Sequence, residues 1–583
     1  MPEREPHEEE IMFKNFFVPL TPLKAIYWII IIGLLVYFNN LFNGFVGDDN
    51  AQILTNPLVH SASNFLLLFK GSTFYLSQGG GSVGLYYKPL LLIVYSIIYS
   101  LFGANAFFFH AIQLVFHISN AILIFLIFKK LFNKNIAFVL SLLFLLHPIN
   151  NETVVYISDL QEELFSFFGL LALFFLSRIR LINFIPILLL LSLLSKETGI
   201  IFIPILLIYY FLFSDKTKIK VKKIIFSLSA VVIFYAFLRI VVGNIGLQTK
   251  LLYMSENATF FQRLLTIPSM IFYYLKMLFI PVSIAFGWYY VIKNPTFSNF
   301  GFPLLVIMFF CICITLPLFT LRSNKILLKK YVFFLAVFII SILPFLQIIP
   351  LDLTVADRWF YIPLFSFLGL IGVIYELYSK GILQKKYLRI GGVSIIILIL
   401  LFFSIRDVTR NNDWANSFSI CQHDEQINTQ SYLLEYCLGN ELYNIKEYNQ
   451  AKLHTQKAVS LYPQYFLSWY TLGKIEYAQN DRSNAQRAFE KTLSYNDFGY
   501  GSEELALILV YEKNPKEARA IAQKYLKRMP NSAQLWYALA LADYKLGLKE
   551  EAISAAKNAY ILEPTPITYK VYYRLSKNLP ISF

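Results

Sequence analysis

The 583-residue chain is 57% hydrophobic and 15% charged, with a mean hydropathy of +0.55. Soluble domains carry about 25% charged residues, so a soluble enzyme is excluded, and so are a disordered and a collagenous chain. The net charge of +15 raises nucleic acid as a partner, but residues 1–405 hold +13 of it together with every long apolar run, and residues 406–583 are within two charges of neutral.

Residues 1–24 are mostly acidic at the start, with Arg4 among the acids, and then basic at Lys14 and Lys24. They lack a basic segment followed by a small-residue cleavage site, so they read as a cytoplasmic segment before a retained anchor. Apolar runs predict helices at 25–43, 105–128, 135–148, 163–177, 182–195, 199–213, 222–243, 300–321, 331–350, 359–378 and 389–405. Basic residues cluster at Lys129–Lys134, Arg178–Arg180, Lys216–Lys223, Arg322–Lys330 and Lys380–Arg389. Short loops this basic face the cytoplasm. The stretches 88–103 and 264–286 then fit as helices along the outer surface. The expectation is about eleven spans, N-terminus inside and C-terminus outside, in a plasma or inner membrane.

With this topology the polar residues that need a reason fall on one face. Gly47-Asp48-Asp49-Asn50 follows the first span. One carboxylate of that pair suits a general base, with the other orienting it or holding a cation; a helix cap is the plainer alternative. Lys88-Pro89 opens the first surface helix, where a cation suits a lipid phosphate or an interfacial anchor. The run Gly79–Gly84 lacks the context of a phosphate-binding loop and reads as a flexible part of the loop. His147-Pro148, Glu152, Asp159 and Glu162 occupy the next outer segment, Lys196-Glu197 a third, and Asp357-Arg358 with Tyr361 a fourth. Ionisable groups in lipid are costly, so these are expected to line a shared wet pocket. His110, Gln113, His117 and Asn120 form a stripe at helical spacing, which interhelical hydrogen bonding explains. Asn151 and Asn257 match the glycosylation pattern, which is short enough to arise by chance.

The tail repeats. Gly439 to Gly473, Ala451 to Ala485, Ala518 to Ala552 and Pro530 to Pro564 are each 34 residues apart. This is the tetratricopeptide period. Four units over about 431–564 and a cap to 583 are expected, with a degenerate third unit. Such arrays present a concave surface to proteins, and a rigid spacer is the plainer role. Cys421 and Cys437 lie in this exported part, where a disulfide survives, although Cys437 also suits ordinary packing. Cys311 and Cys313 read as packing residues within a span. Nothing has zinc-site spacing.

The ordered set Asp48-Asp49 with Asn56-Pro57, Lys88-Pro89-Leu90, the His110–Asn120 stripe, His147-Pro148 with Glu152 and Glu162, Ala356-Asp357-Arg358 with Tyr361-Ile362-Pro363, and the terminal repeats resembles the transmembrane and tetratricopeptide-repeat (TMTC) glycosyltransferases, on their bacterial branch. The resemblance implies a GT-C membrane glycosyltransferase of all-α fold. It would comprise a cytoplasmic segment 1–24, a polytopic domain 25–405 whose outer loop 44–104 carries the acid pair, a linker 406–430 and a repeat domain 431–583. It implies Asp48 and Asp49 as catalytic residues, and Lys88, Arg358 and Lys196 as donor-phosphate contacts. His147, Glu152, Glu162, Glu197, Asp357 and Tyr361 would line the substrate pocket. The implied donor is a polyprenyl-phosphate sugar and the acceptor a hydroxyl of a protein (Ser or Thr favoured) or a glycan, on the non-cytoplasmic face. Membrane lipid and a repeat-bound protein complete the partners, with no nucleic acid. No cofactor is required, and a divalent cation is left open. Leu160 and Gln161 stand where bacterial relatives usually carry Arg and often Lys. A membrane-anchored repeat scaffold and a lipid-linked sugar flippase are the competing readings.

Overall fold

The computed structural model describes residues 21–581 apart from 77–80, 84–85, 215–220, 246–257, 383–385, 497–498 and 513. The N-terminal segment to residue 20, most of the Lys216–Lys223 cluster, part of the Gly79–Gly84 run, Lys385 and Asn257 lie outside these residues. Helices dominate. The membrane-type part runs α1 (Pro22–Val36), α2 (Pro89–Phe102), α3 (Ala106–Leu131), α4 (Lys134–Leu145), α5 (Asn151–Val155), α6 (Leu160–Leu176), α7 (Ile185–Ser195), α8 (Phe202–Phe213), α9 (Val221–Phe237), α10 (Phe260–Phe279), α11 (Phe302–Leu321), α12 (Lys325–Ile342), α13 (Tyr361–Ile382) and α14 (Lys386–Asp413). A small antiparallel pair, β1 (Phe74–Leu76) and β2 (Gly81–Val83), sits in the loop before α2. Start signals in the sequence act as written. Thr21, Asn105 and Asn133 accept backbone N–H groups at the heads of α1, α3 and α4, and Pro22, Pro89 and Pro186 occupy first-turn positions.

Among the described residues six helices are long and apolar enough to cross a membrane, built on α3, α9, α11, α12, α13 and α14. A seventh is added if α4 and Pro148–Val155, bent by 48°, count as one. Eleven spans were expected. The difference lies in short elements: α1, α6 and α7 have 15, 17 and 11 residues, below the ~20 that a bilayer crossing needs. The third expected span, 135–148, ends before His147-Pro148, where proline cannot continue the helix.

The central helix is α3, packed on α1, α4 and α6. Three residues of its polar stripe bond to neighbouring elements. Gln113 donates to the carbonyls of Thr153 and Tyr156, His117 bridges the Tyr361 hydroxyl and the Leu145 carbonyl, and Asn120 donates to Glu163 O and to Tyr361. These bonds fasten α3 to α5, α6 and α13. Small residues let the helices close. A methyl at Gly169 would overlap the Phe202 ring, bringing α6 onto α8.

Beyond α14 come α15 (Ser417–Ile427) and then paired helices: α16 (Tyr432–Asn444) with α17 (Tyr448–Leu461), α18 (Phe466–Ala478) with α19 (Arg482–Tyr495), α20 (Ser502–Tyr511) with α21 (Pro515–Leu526), α22 (Ala533–Lys545) with α23 (Lys549–Leu562), and a last helix α24 (Pro566–Ser576). Trp469 donates to the Pro463 carbonyl and Trp536 repeats the bond to Pro530, both at 2.8 Å. Gly439 and Gly473 sit where a side chain would strike Thr455 and Phe489 of the partner helix.

The two parts are bolted together. Buried Arg410 at the end of α14 makes a two-pronged bond to Asp424 of α15 at 2.6 and 2.8 Å. Asp424 also accepts the Phe286 N–H at 2.7 Å, and Ser431 donates to the Gly287 carbonyl. A Cys421–Cys437 disulfide joins α15 to α16, which decides between the two readings of that pair. Asn151 is fully buried and donates to Asp407 and Asn411, so it is closed to glycosylation in the fold.

Candidate functional site

A cavity of about 370 Å³ opens between the loop 47–52, Tyr86–Lys88, the segment 158–161, Lys196–Thr198, Arg239 and the segment 344–359. Each wall is placed by a local feature. Gly47 takes a positive φ of 53°, and a methyl there would meet the Tyr156 hydroxyl at 2.9 Å. The same hydroxyl accepts the Asp48 N–H at 2.8 Å. This turn sends the paired carboxylates in opposite directions.

Asp48 opens on the cavity. Protein walls it in, which raises its carboxyl above the usual carboxylate range, while the Arg358 and Lys88 charges pull it back. Asp49 turns inward and is 1% exposed. It accepts the Val46 N–H at 2.8 Å and the N–H and hydroxyl of Ser158. Burial lifts it to about 7 against these hydrogen bonds. Asp49 therefore ties the first loop to the segment before α6 and does not face the cavity. Asp49→Asn forces an amide N–H toward a backbone donor. We expect a loss of about 1–3 kcal/mol, measured as a lowered thermal midpoint of the detergent-solubilised chain.

The cations of the cavity differ in what they already hold. Arg358, heading α13, pairs with buried Glu152 at 2.6 Å and Asp159 at 3.4 Å, and its backbone N–H donates to Glu152. Lys196 pairs with buried Glu162. Arg239, at the end of α9, pairs with Glu197 at 2.8 Å, and the same carboxylate oxygen accepts the Tyr87 N–H at 2.8 Å. Glu197 thus fixes the backbone beside Lys88. Lys88 stacks over the Tyr86 ring at 4.2 Å and has no carboxylate partner among the described residues. Burial pulls its ammonium down to about 8, with Glu197 holding it up.

Of the residues singled out in the sequence, Asp48, Lys88, Asp159, Lys196, Glu197 and Arg358 line the cavity. Glu152 and Glu162 stand behind it as buried counter-charges. Asp357 points away and accepts the Tyr273 hydroxyl at 2.8 Å. Tyr361 serves the α3 stripe. His147 accepts the Ile149 N–H and bonds the Leu278 carbonyl, a structural post for α10. Sequence reading passed over Arg239 and Asp352, which also line the cavity. A lone arginine inside the apolar run Phe237-Leu238-Arg239-Ile240-Val241 was the available signal. Among the described residues no group of three or more His, Cys, Asp or Glu is arranged to hold a metal ion.

Residues 88–242, which include five of the eight charged groups of the cavity, match the family model for dolichyl-phosphate-mannose-protein mannosyltransferase. A protein O-mannosyl-transferase of Caenorhabditis elegans is 25% identical over 449 residues, 75% of this chain and 62% of that protein. The mouse protein O-mannosyl-transferase TMTC3 is 22% identical over 78% of this chain and 52% of its own length. The chain is similar in sequence to TMTC proteins over most of its length. It spans half to two thirds of the length of these curated relatives. Human TMTC1 reaches 30% identity over 196 residues, 30% of this chain and 22% of that protein. Among solved structures, a tetratricopeptide protein, YrrB, is 18% identical over 27% of this chain and 82% of its own, with a TM-score of 0.26.

Proposed function

We propose that the chain is an integral-membrane glycosyltransferase. It moves a sugar from a polyprenyl-phosphate donor to an acceptor hydroxyl, with protein Ser or Thr favoured. The observation that carries this reading is the single cavity in which Asp48 faces four cations, one of them, Lys88, without a carboxylate partner among the described residues. In this reading Lys88 receives the donor phosphate, supported by Lys196 and Arg358. The acceptor oxygen attacks the anomeric carbon and the carbon–oxygen bond to phosphate breaks. The acceptor proton passes to Asp48, and the polyprenyl phosphate leaves with its charge held by the cations. One displacement inverts the anomeric carbon.

The reaction would face the non-cytoplasmic side, with the N-terminus inside and the repeats outside. Two observations support that orientation: the basic clusters at the opposite loop ends, and the Cys421–Cys437 disulfide, which persists in oxidising compartments. The repeats would hold the acceptor or a partner protein. The apolar surface of α9 and α11 keeps this machinery in the bilayer.

The test is transfer by the full chain in lipid nanodiscs, given a polyprenyl-phosphate mannose and hydroxyl-bearing peptides, as a function of pH. Asp48 must be ionised to accept a proton, so the rate falls as pH drops through its raised value. Lys88 must be charged to hold phosphate, so kcat/KM falls as pH rises through about 8. The expected profile is a bell whose acid limb lies above the usual carboxylate range. No transfer with any lipid-phosphate sugar would overturn the reading.

A further inference from the structure

A second cavity lies away from the charged one. It is a groove of about 510 Å³ between α10, α11, α12 and α13, walled by Phe279, Val306, Phe310, Ile314 and Phe367. Its lining is apolar except for Lys276, the Tyr331 hydroxyl and the Cys313 thiol. Tyr331 is satisfied by donating to the Ile314 carbonyl at 2.6 Å. Lys276 is exposed, is the one charged side chain of the lining, and has no carboxylate partner among the described residues.

Three of the four walls are helices long and apolar enough to cross a membrane. The groove's mouth carries Phe309, 68% exposed, and Ile280, 59% exposed. Such a mouth suits hydrocarbon rather than water. Hydrocarbon alone gives no role to an ammonium group. An unpaired cation at the rim of an apolar slot calls for an anionic head group, and the last turn of α10 brings Lys276 to that rim.

We propose that this groove binds an anionic phospholipid of the surrounding bilayer, its phosphate on Lys276 and an acyl chain between α11 and α13. The site is separate from the cavity that holds Asp48 and does not depend on the sugar reading. Bound lipid would wedge α10 against α13, and α10 carries Tyr273 and Tyr274, which hold Asp357 and Ala356 beside Arg358.

The experiment is native mass spectrometry of the full chain released from nanodiscs of phosphatidylcholine with or without phosphatidylglycerol. The wild-type chain should retain phosphatidylglycerol in preference to phosphatidylcholine. Lys276→Gln should lower that retention about fivefold, and Lys276→Arg should keep it. Cys313→Trp, which fills the groove from an exposed position, should remove the retained lipid. Equal retention of both lipids, or retention unchanged by Lys276→Gln or by Cys313→Trp, overturns the proposal and leaves Lys276 as a helix-end charge. Recovery of a polyprenyl phosphate from the groove in place of phospholipid overturns it as well.

Discussion

Replacing Asp48 by Asn lowers sugar transfer by about 10²–10⁴-fold, the range for losing a positioned general base, and leaves folding unchanged. The two halves of that expectation rest on different observations. Asp48 opens on the cavity, its backbone N–H is held by Tyr156, and its carboxylate bonds only that same hydroxyl, an acceptor role that an Asn carbonyl oxygen keeps. An Asn of the same shape keeps every backbone contact and loses the ability to take a proton together with the charge that faces Arg358 and Lys88. Asp49, one residue on, has the reverse profile, since its carboxylate is consumed by Val46 and Ser158. Measuring transfer and thermal midpoint for both variants separates the roles. Loss of transfer with an unchanged midpoint belongs to Asp48, and loss of stability to Asp49. Full transfer by a folded Asp48→Asn chain would remove Asp48 from the chemistry.

Adjacent acids show where sequence reading stops. Asp48-Asp49 in an apolar chain signals a site, but period and composition do not say which carboxylate faces it. The answer comes from the positive φ of Gly47 and from Tyr156, more than a hundred residues away. The same limit applies to the cations. Lys88, Lys196 and Arg358 are conspicuous in sequence because charge is rare there, and the cavity gathers all three. Which of them are already neutralised depends on Glu162, Glu152 and Asp159 arriving from other elements. Arg239 was hidden because it closes a helix that otherwise reads as pure span.

The repeat tail was more legible because its rule is local. A 34-residue period fixes which residues meet within each helix pair, as Gly439 with Thr455 and Gly473 with Phe489 show. Counting spans was less secure. Hydropathy marks apolar segments, but α6 buries a polar face against α3 and α8, the short α7 packs on α6 and α9, and neither needs a bilayer's length. The disulfide stays one of two open readings in the sequence for a third reason. Cys437 lies on a repeat helix, and only the return of α15 under that helix brings Cys421 to it.

Arg358→Gln is expected to be the most damaging single change to the fold of the site, costing about 3–5 kcal/mol. Its guanidinium sits between Glu152 and Asp159, which are 4% and 2% exposed. Removing the cation strands two carboxylates in a protein interior, and each must then take up a proton or draw water inward. The loss arises from the unpaired charges more than from the ion pair itself, and that distinction can be measured. In the triple variant Glu152→Gln, Asp159→Asn, Arg358→Gln no charge is stranded, so most of the stability should return. Transfer should not return, because the cavity has lost a cation that faces the donor phosphate in the proposed reaction. Thermal unfolding of the single and triple variants reads the first effect, and transfer from polyprenyl-phosphate mannose reads the second. A triple variant as unstable as Arg358→Gln would show that the guanidinium holds the loop by shape rather than by charge. One that transferred sugar at the wild-type rate would move the phosphate contact wholly to Lys88 and Lys196.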